Sequence, residues 1–179
     1  YMRYEGHPIF MIYQPLQFVN IQDFMEQWND LAIKNGLQPF HFSGQCSDDG
    51  DIDKVLTLGL TAVNIYHIYD IRNRHLSLFS RLIRWGKTKS LTIPIIDNYK
   101  TSIKMMVGKF EKRENVYPTI IPNWDHTPRS GRAGYVLHGS SPELFGQHVQ
   151  SVFDTISHKQ QKDQIIFLKS WNEWGEGNY

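Results

Sequence analysis

Short, nearly continuous apolar runs alternate along this chain with stretches in which apolar residues recur every three to four positions. The runs PIFMIY (8–13), LQPFHFSG (37–44), TAVNIYHI (61–68), VYPTIIP (116–122) and DQIIFLKSW (163–171) predict strands. Each is too short for a typical helix, and turn residues flank most of them. Ile21, Phe24, Met25, Trp28, Leu31 and Ala32 instead share one helical face, with Asn20 placed to cap that helix and Gly36 to end it. Residues 51–58 predict a short helix, and residues 74–86 and 97–110 two more. The last of these gathers Tyr99, Ile103, Met106, Val107 and Phe110 on one side. Ser141 and Pro142 form a helix start, followed by an apolar stripe through Leu144, Phe145, His148, Val149, Val152, Phe153 and Ile156 that runs to about His158.

The resulting order is β-α-β-α-β-α-α-β-α-β. Strands that are apolar on both faces and separated by helices call for a parallel sheet covered by helices, an α/β fold. Right-handed crossovers leave two architectures: an open doubly wound sheet, or an arc of a (β/α)8 barrel of TIM type. About five strands are too few to close such a barrel, which usually needs about 250 residues. The expectation is therefore a single domain over residues 1–179 that forms part of a barrel. The chain begins at Tyr1 rather than Met, which suggests a piece of a longer protein.

Composition narrows the function classes. A net charge of +1 gives no whole-chain field to recruit nucleic acid. Mean hydropathy is −0.45, and no apolar run approaches 18 residues, so membrane insertion is not expected. Cys46 is the single cysteine, which excludes an internal disulfide or a Cys-based zinc site and fits a reducing, cytoplasmic setting. Aromatic residues make up 13% of the chain, with 5 Trp, 9 Tyr and 10 Phe. That surplus suits either a ring-rich core or a carbohydrate cleft, where flat rings pack on sugar C–H faces.

Polar chemistry collects at the ends of the predicted strands: Tyr13-Gln14, His41-Phe42-Ser43, Tyr66-His67, Asn123-Trp124-Asp125-His126 and Trp171-Asn172-Glu173. In parallel α/β folds the C-terminal strand ends converge on one face, where the active site sits. Tyr13, His41, Tyr66, Trp124, Asp125, Arg129, Trp171, Asn172 and Trp174 are thus candidate substrate-binding residues. Within NEWGE, Glu173 and Glu176 would stand about 10 Å apart on a straight strand. Gly175 and Gly177 permit a turn that brings the carboxyls to roughly 5–6 Å, the separation of retaining glycosidases. Carboxylates that close push their pKa values apart, so one holds a proton while the other stays charged. The alternative is that the Trp residues fill a core and the Glu residues are solvated or cap a helix.

Asp125 and His126 form either an acid–base pair or an Asx turn ahead of Pro128; spacing places no third ligand for a metal. Arg129 either meets substrate or pairs with Asp125. DDGDID (48–53) matches the D-x-D of metal-dependent sugar transferases, or else a solvated loop ending in a helix cap. No nucleophile elbow, P-loop or Gly-rich dinucleotide turn follows any strand. No metal and no cofactor are expected.

The stretches PIFMIYQP, YPTIIPNWDHTPRSG and SWNEWGEG, in this order and at these spacings, resemble the WbsX glycosyltransferase family. That family is in turn similar to the endo-α-mannosidase family of glycoside hydrolases. WNEWGEG is the most specific element, NWDHTPR the next, and the similarity runs along essentially the whole chain. The resemblance implies a (β/α)8 barrel of which this chain is the C-terminal half, the N-terminal half being supplied from upstream. It also implies a carbohydrate substrate and a role in bacterial O-antigen or capsule synthesis. By the same resemblance, Glu173 acts as a base on the sugar's own 2-hydroxyl to give a 1,2-anhydro sugar, and Glu176 protonates the leaving oxygen, without metal. Gln14 stands where many members carry Arg. Transfer, endo-acting hydrolysis, a nucleotide-sugar transferase using Asp49, Asp51 or Asp53, and a non-catalytic glycan-binding barrel are the readings carried forward.

Overall fold

The computed structural model describes residues 1–69, 71, 82, 85–86 and 93–169. In chain order the described elements are β1 (Arg3–Tyr4), β2 (His7–Ile12), α1 (Ile21–Lys34), β3 (His41–Cys46), α2 (Ile52–Thr57), β4 (Ala62–Ile65), β5 (Ile95–Asn98) and α3 (Tyr99–Ser102). Then come β6 (Val116–Ile120), β7 (Trp124–Asp125), α4 (Thr127–Ser130), β8 (Tyr135–His138), α5 (Pro142–Ile156) and β9 (Phe167–Leu168). The chain packs as two compact units. One comprises Tyr1–Tyr66, Lys109–Pro118 and Ile156–Phe167; the other comprises His67–Gly108, Thr119–Thr155 and Leu168–Tyr179.

The first unit is built on a six-stranded sheet of order β1-β2-β3-β4-β6-β9, whose β6 and β9 run on into the second unit. β2, β3, β4 and β6 are parallel, in the registers Ile9↔His41, Ser43↔Ala62 and Val63↔Val116; β1 is antiparallel to β2. Strand alternation sends successive side chains to opposite faces. On one face Ile12, Phe42, Cys46, Val63, Ile65 and Val116 pack with Ile21 and Met25 of α1 and Ile52 and Val55 of α2. On the other, Ile9, Ala62 and Tyr117 pack with Ile165, Tyr4 and Phe167.

α1 buries Ile21, Met25 and Ala32 of the predicted face, and Phe24 and Trp28 meet Phe10, Phe40 and Phe42 at tilted and edge-on angles. Leu31, placed on the same face by the sequence, is 51% exposed. Gly36 ends the helix as expected. It sits at φ 73°, its N–H donates to Ile33 O, and Leu37 N–H donates to Ala32 O, the paired bonds of a Schellman stop. Asn20 occupies the N-cap position but makes no side-chain cap bond. It adopts the left-handed conformation at φ 59°, which Asn tolerates.

Gly44 lets α2 and Pro15 come close to β3. A Cβ there would lie 2.6 Å from Val55 Cγ1, 2.9 Å from Leu60 Cδ2 and 3.0 Å from Pro15 Cγ. Three neighbours on separate segments cannot all retreat, so Gly44→Ala should destabilise by about 1–3 kcal/mol. The check is a lowered unfolding midpoint of the full-length protein; an unchanged midpoint would contradict the packing described.

The second unit holds a three-stranded sheet of order β5-β8-β7, with β5 parallel and β7 antiparallel to β8. The fully buried Tyr99 donates its hydroxyl to Ile121 O at 2.6 Å. Ser141 Oγ accepts from Leu144 N–H at 3.3 Å, the expected cap of α5, and α5 buries His148, Val152 and Ile156 at four-residue spacing.

Several expectations are corrected. The strand read over 37–44 begins only at His41, because Phe40 N–H is taken by Asn29 Oδ1 of α1. The helix read over 97–110 opens inside β5. Thr101 and Ser102 hydroxyls then compete for Asn98 O, and only one α-helical turn and two 3-10 turns follow. The run 163–171 starts with the end of a 3-10 turn and forms a strand only at Phe167–Leu168 among the described residues. β1, β5, β7 and β8 were not anticipated. Most of the helix predicted over 74–86 lies outside the described residues.

Candidate functional site

Within the first unit, Tyr13 and Tyr66 follow β2 and β4 directly, as expected of residues at C-terminal strand ends. Tyr13 is 64% exposed and precedes Gln14, which is held at φ 50° ahead of the buried Pro15. A left-handed residue before proline is unfavourable, by about 1–3 kcal/mol, and such strain is concentrated at functional edges. Tyr66 is buried, its N–H donating to Cys46 O.

His41 is different. It is the first residue of β3, at the opposite end from Tyr13 and Tyr66, and the expectation that it borders the C-terminal edge is corrected. Its Nε2 shares a 2.9 Å hydrogen bond with the Tyr117 hydroxyl, and its ring stacks on Tyr4 at 4.3 Å. Tyr4 in turn donates to Asp163 Oδ1 at 2.8 Å. Burial, and then the neighbouring His7, hold His41 below its ordinary pKa, and burial raises the Tyr117 phenol. Lys159 closes the same end: its buried ammonium donates to Val116 O at 2.7 Å, and burial draws its pKa down to about 8. These contacts tie the strand starts together.

Further polar positions, Gln45 and Asn64 beside the already noted Ser43, lie within the strands. Phe42, Gly44 and Cys46 face the helices, so His41, Ser43 and Gln45 take the opposite face. By register, Met11 and Ala62 flank Ser43, and Asn64 lies beside Gln45. Asn64 Nδ2 donates to Tyr117 O at 3.1 Å. The Ser43 hydroxyl is buried with no hydrogen-bond partner among the described residues. The alternation was visible in HFSGQC; which face it served was not.

In the second unit, Trp124 and Asp125 form β7. Trp124 is buried, with Tyr69 edge-on at 6.2 Å, His126 stacked at 6.1 Å and Lys169 Nζ 5.7 Å from the ring centre. Its faces are covered by side chains of its own unit. Asp125 Oδ1 accepts from Thr127 N–H at 2.8 Å and Thr127 Oγ1–H at 2.6 Å, which is the Asx-turn alternative. His126 Nδ1 pairs with Ser130 Oγ at 3.1 Å. Arg129 is exposed on α4. The structure therefore brings Trp124, Asp125 and His126 together through local turn chemistry. Trp171, Asn172, Glu173, Trp174 and Glu176 lie outside the described residues.

The acidic run is a cap and a set of ion pairs. Asp48 Oδ1 accepts from Gly50 N–H at 2.7 Å, Lys54 meets Asp51 at 2.7 Å, and Arg113 meets Asp53 at 2.8 Å. Among the described residues no group of three or more His, Cys, Asp or Glu could hold a metal ion, and no helix is long and apolar enough to cross a membrane. The Cys46 thiol is buried and pushed up to about 12 by that burial, so it is no nucleophile at neutral pH.

Two curated proteins are similar to part of this chain, both called "Uncharacterized protein WxcX", from two strains of Xanthomonas campestris pv. campestris. Each is 32% identical over 63 residues, covering 35% of this chain and 9% of the relative, so the match spans less than a tenth of those proteins. No solved structure matches. The model of the WbsX glycosyltransferase family matches residues 1–179. The chain belongs to the WbsX glycosyltransferase family.

Proposed function

We propose that this chain is part of a carbohydrate-active enzyme that builds bacterial surface polysaccharide in the cytoplasm, transferring a glycosyl group through a metal-independent pair, Glu173 and Glu176. The observation that carries this reading is the family match along residues 1–179; WNEWGEG supplies the chemistry. Glu173 takes the proton of the donor sugar's 2-hydroxyl as that oxygen attacks the anomeric carbon. Glu176 gives its proton to the departing glycosidic oxygen, leaving a 1,2-anhydro sugar. In the second half an acceptor hydroxyl, deprotonated by Glu176, opens the strained ring, and Glu173 returns the proton to O2. Two inversions give net retention.

Barrel geometry is part of the proposal. The parallel β2-β3-β4-β6 array with helices on one face supports reading this chain as the C-terminal half of a (β/α)8 barrel, completed by an N-terminal half elsewhere in the protein. The same site hydrolyses if water replaces the acceptor, which makes an endo-acting mannosidase-like activity the second reading.

The test incubates the full-length protein with α-mannosides and repeat-unit glycans, with and without chelator, and follows the anomeric signals by NMR. Retained configuration, indifferent to chelator, is the expected result. Loss of activity with chelator, or inversion, would replace this reading with a metal-dependent transferase. Free reducing sugar in place of longer glycans would select the hydrolase.

A further inference from the structure

We infer that the open edge of β2 and the adjoining flank of α1 form the seat of a further strand–helix unit, supplied by the part of the same protein outside residues 1–179. The inference rests on the barrel reading above and deepens it by naming the surface and the element that covers it.

β1 protects only the first half of the outer edge of β2. It pairs Arg3 with Pro8 and Tyr4 with His7, and Ile9 N–H donates to Met2 O. Alternate residues of a strand turn their backbone groups to the same side, so Met11 faces outward as Ile9 does. There no strand among the described residues meets it. Phe10, Met11 and Ile12 carry none of the charges, prolines or bulges that guard natural edge strands.

The helix layer is unfinished on the same side. Met25 leans toward α2: a Cβ on Gly59, just past that helix, would lie 3.5 Å from Met25 Cε. At 3.6 residues per turn, Trp28 and Leu31 stand about 60° and about 120° round the helix from Met25, on the flank turned away from α2. Phe24, Trp28 and Leu31 follow one another there at i, i+4 and i+7, and the Phe18 ring extends the stripe, 5.0 Å from Phe24. Phe18 and Trp28 are each 38% exposed and Leu31 51%. Trp28 also meets Phe10 of β2 at 5.6 Å. Strand edge and helix flank are thus one apolar surface.

One element covers both. Crossovers between parallel strands are almost always right-handed, so consecutive strand–helix units running one way along a sheet put their helices on one face. In β2–α1–β3 that face is the one on which Ile21 and Met25 pack. A strand that precedes β2 in the sheet, parallel to it, therefore sets its helix beside α1, against Trp28 and Leu31.

The experiment uses the full-length protein. Leu31→Gln should lower its melting temperature by about 4 °C or more, because the amide is buried under the docked unit. Ile33→Gln should move it by less than about 2 °C. Ile33 is the matched control: it is 59% exposed on the other flank, with Glu26 and Asp30 at helical spacing. A second readout places photoreactive benzoylphenylalanine in place of Leu31. Irradiation should tie it, within a single polypeptide, to a stretch outside residues 1–179; the same group in place of Ile33 should give no such link. Equal melting shifts in the two glutamine variants, no link from position 31, or a link only between two polypeptides overturns the seat. Neither readout needs a glycan. Glycosyl transfer in the NMR assay above, by a protein that makes no link from position 31, removes the seat and leaves the transfer reading in place. A linked protein that turns over no glycan removes the transfer reading and leaves the seat.

Discussion

Glu176→Gln in the full-length protein is expected to lower turnover of an unactivated glycoside by about 10²- to 10⁴-fold, the range for loss of a positioned general acid. The amide cannot protonate the departing oxygen. An aryl glycoside, whose leaving group needs little proton assistance, should recover much of the first step in this variant. Glu173→Gln should lose a similar factor and recover nothing with the aryl substrate, because the 2-hydroxyl still lacks its base. The contrast between the two variants separates acid from base, which an overall loss of activity would not. Steady-state kcat on both substrates is the measurement, with the folded fraction checked by melting. Wild-type turnover in both variants would remove the carboxylate-pair mechanism.

Lowering the pH from 7 to 4 should cost the folded protein about 3 kcal/mol through His148 alone. His148 lies on α5, fully buried, and neither ring nitrogen has a hydrogen-bond partner among the described residues. Burial draws its pKa from the ordinary 6.5 down to about 4. The folded state therefore prefers the neutral ring, whereas the unfolded chain takes up a proton near 6.5. The stability at stake is present in full above about pH 6.5 and is lost as the pH falls toward 4. His148→Leu, which keeps an apolar group of similar bulk, should flatten that part of the profile. Urea midpoints measured from pH 8 to 4 on wild type and variant test this. Parallel profiles would mean that His148 finds a partner in solution.

Locally determined features were legible. The stop of α1 needed only Gly36, the cap of α5 only Ser141, and the buried four-residue spacing of His148, Val152 and Ile156 only the helical repeat. β2, β4 and β6 were legible as apolar runs whose flanks change chemistry abruptly. The start of β3 was not, because its boundary depends on Asn29, eleven residues away, capturing Phe40 N–H. β7, two residues long, exists through its pairing with β8, which no local pattern announces. The candidate site divides along the same line. Asp125 as a turn acceptor and DDGDID as a cap were both readable, since their partners lie within two residues. The placing of His41 beside Tyr117 was not, since 76 residues separate them.

The sequence by itself determined the α/β alternation, the ends of its main helices and the motifs that tie the chain to its family, because each rests on residues within a few positions of one another. Only tertiary structure decided that His41 ties strand starts together, that Ser43 is buried with no hydrogen-bond partner among the described residues, and that Gln45 and Asn64 stand side by side. Those outcomes depend on strand register, and a shift of one residue would turn each of these side chains to the other face.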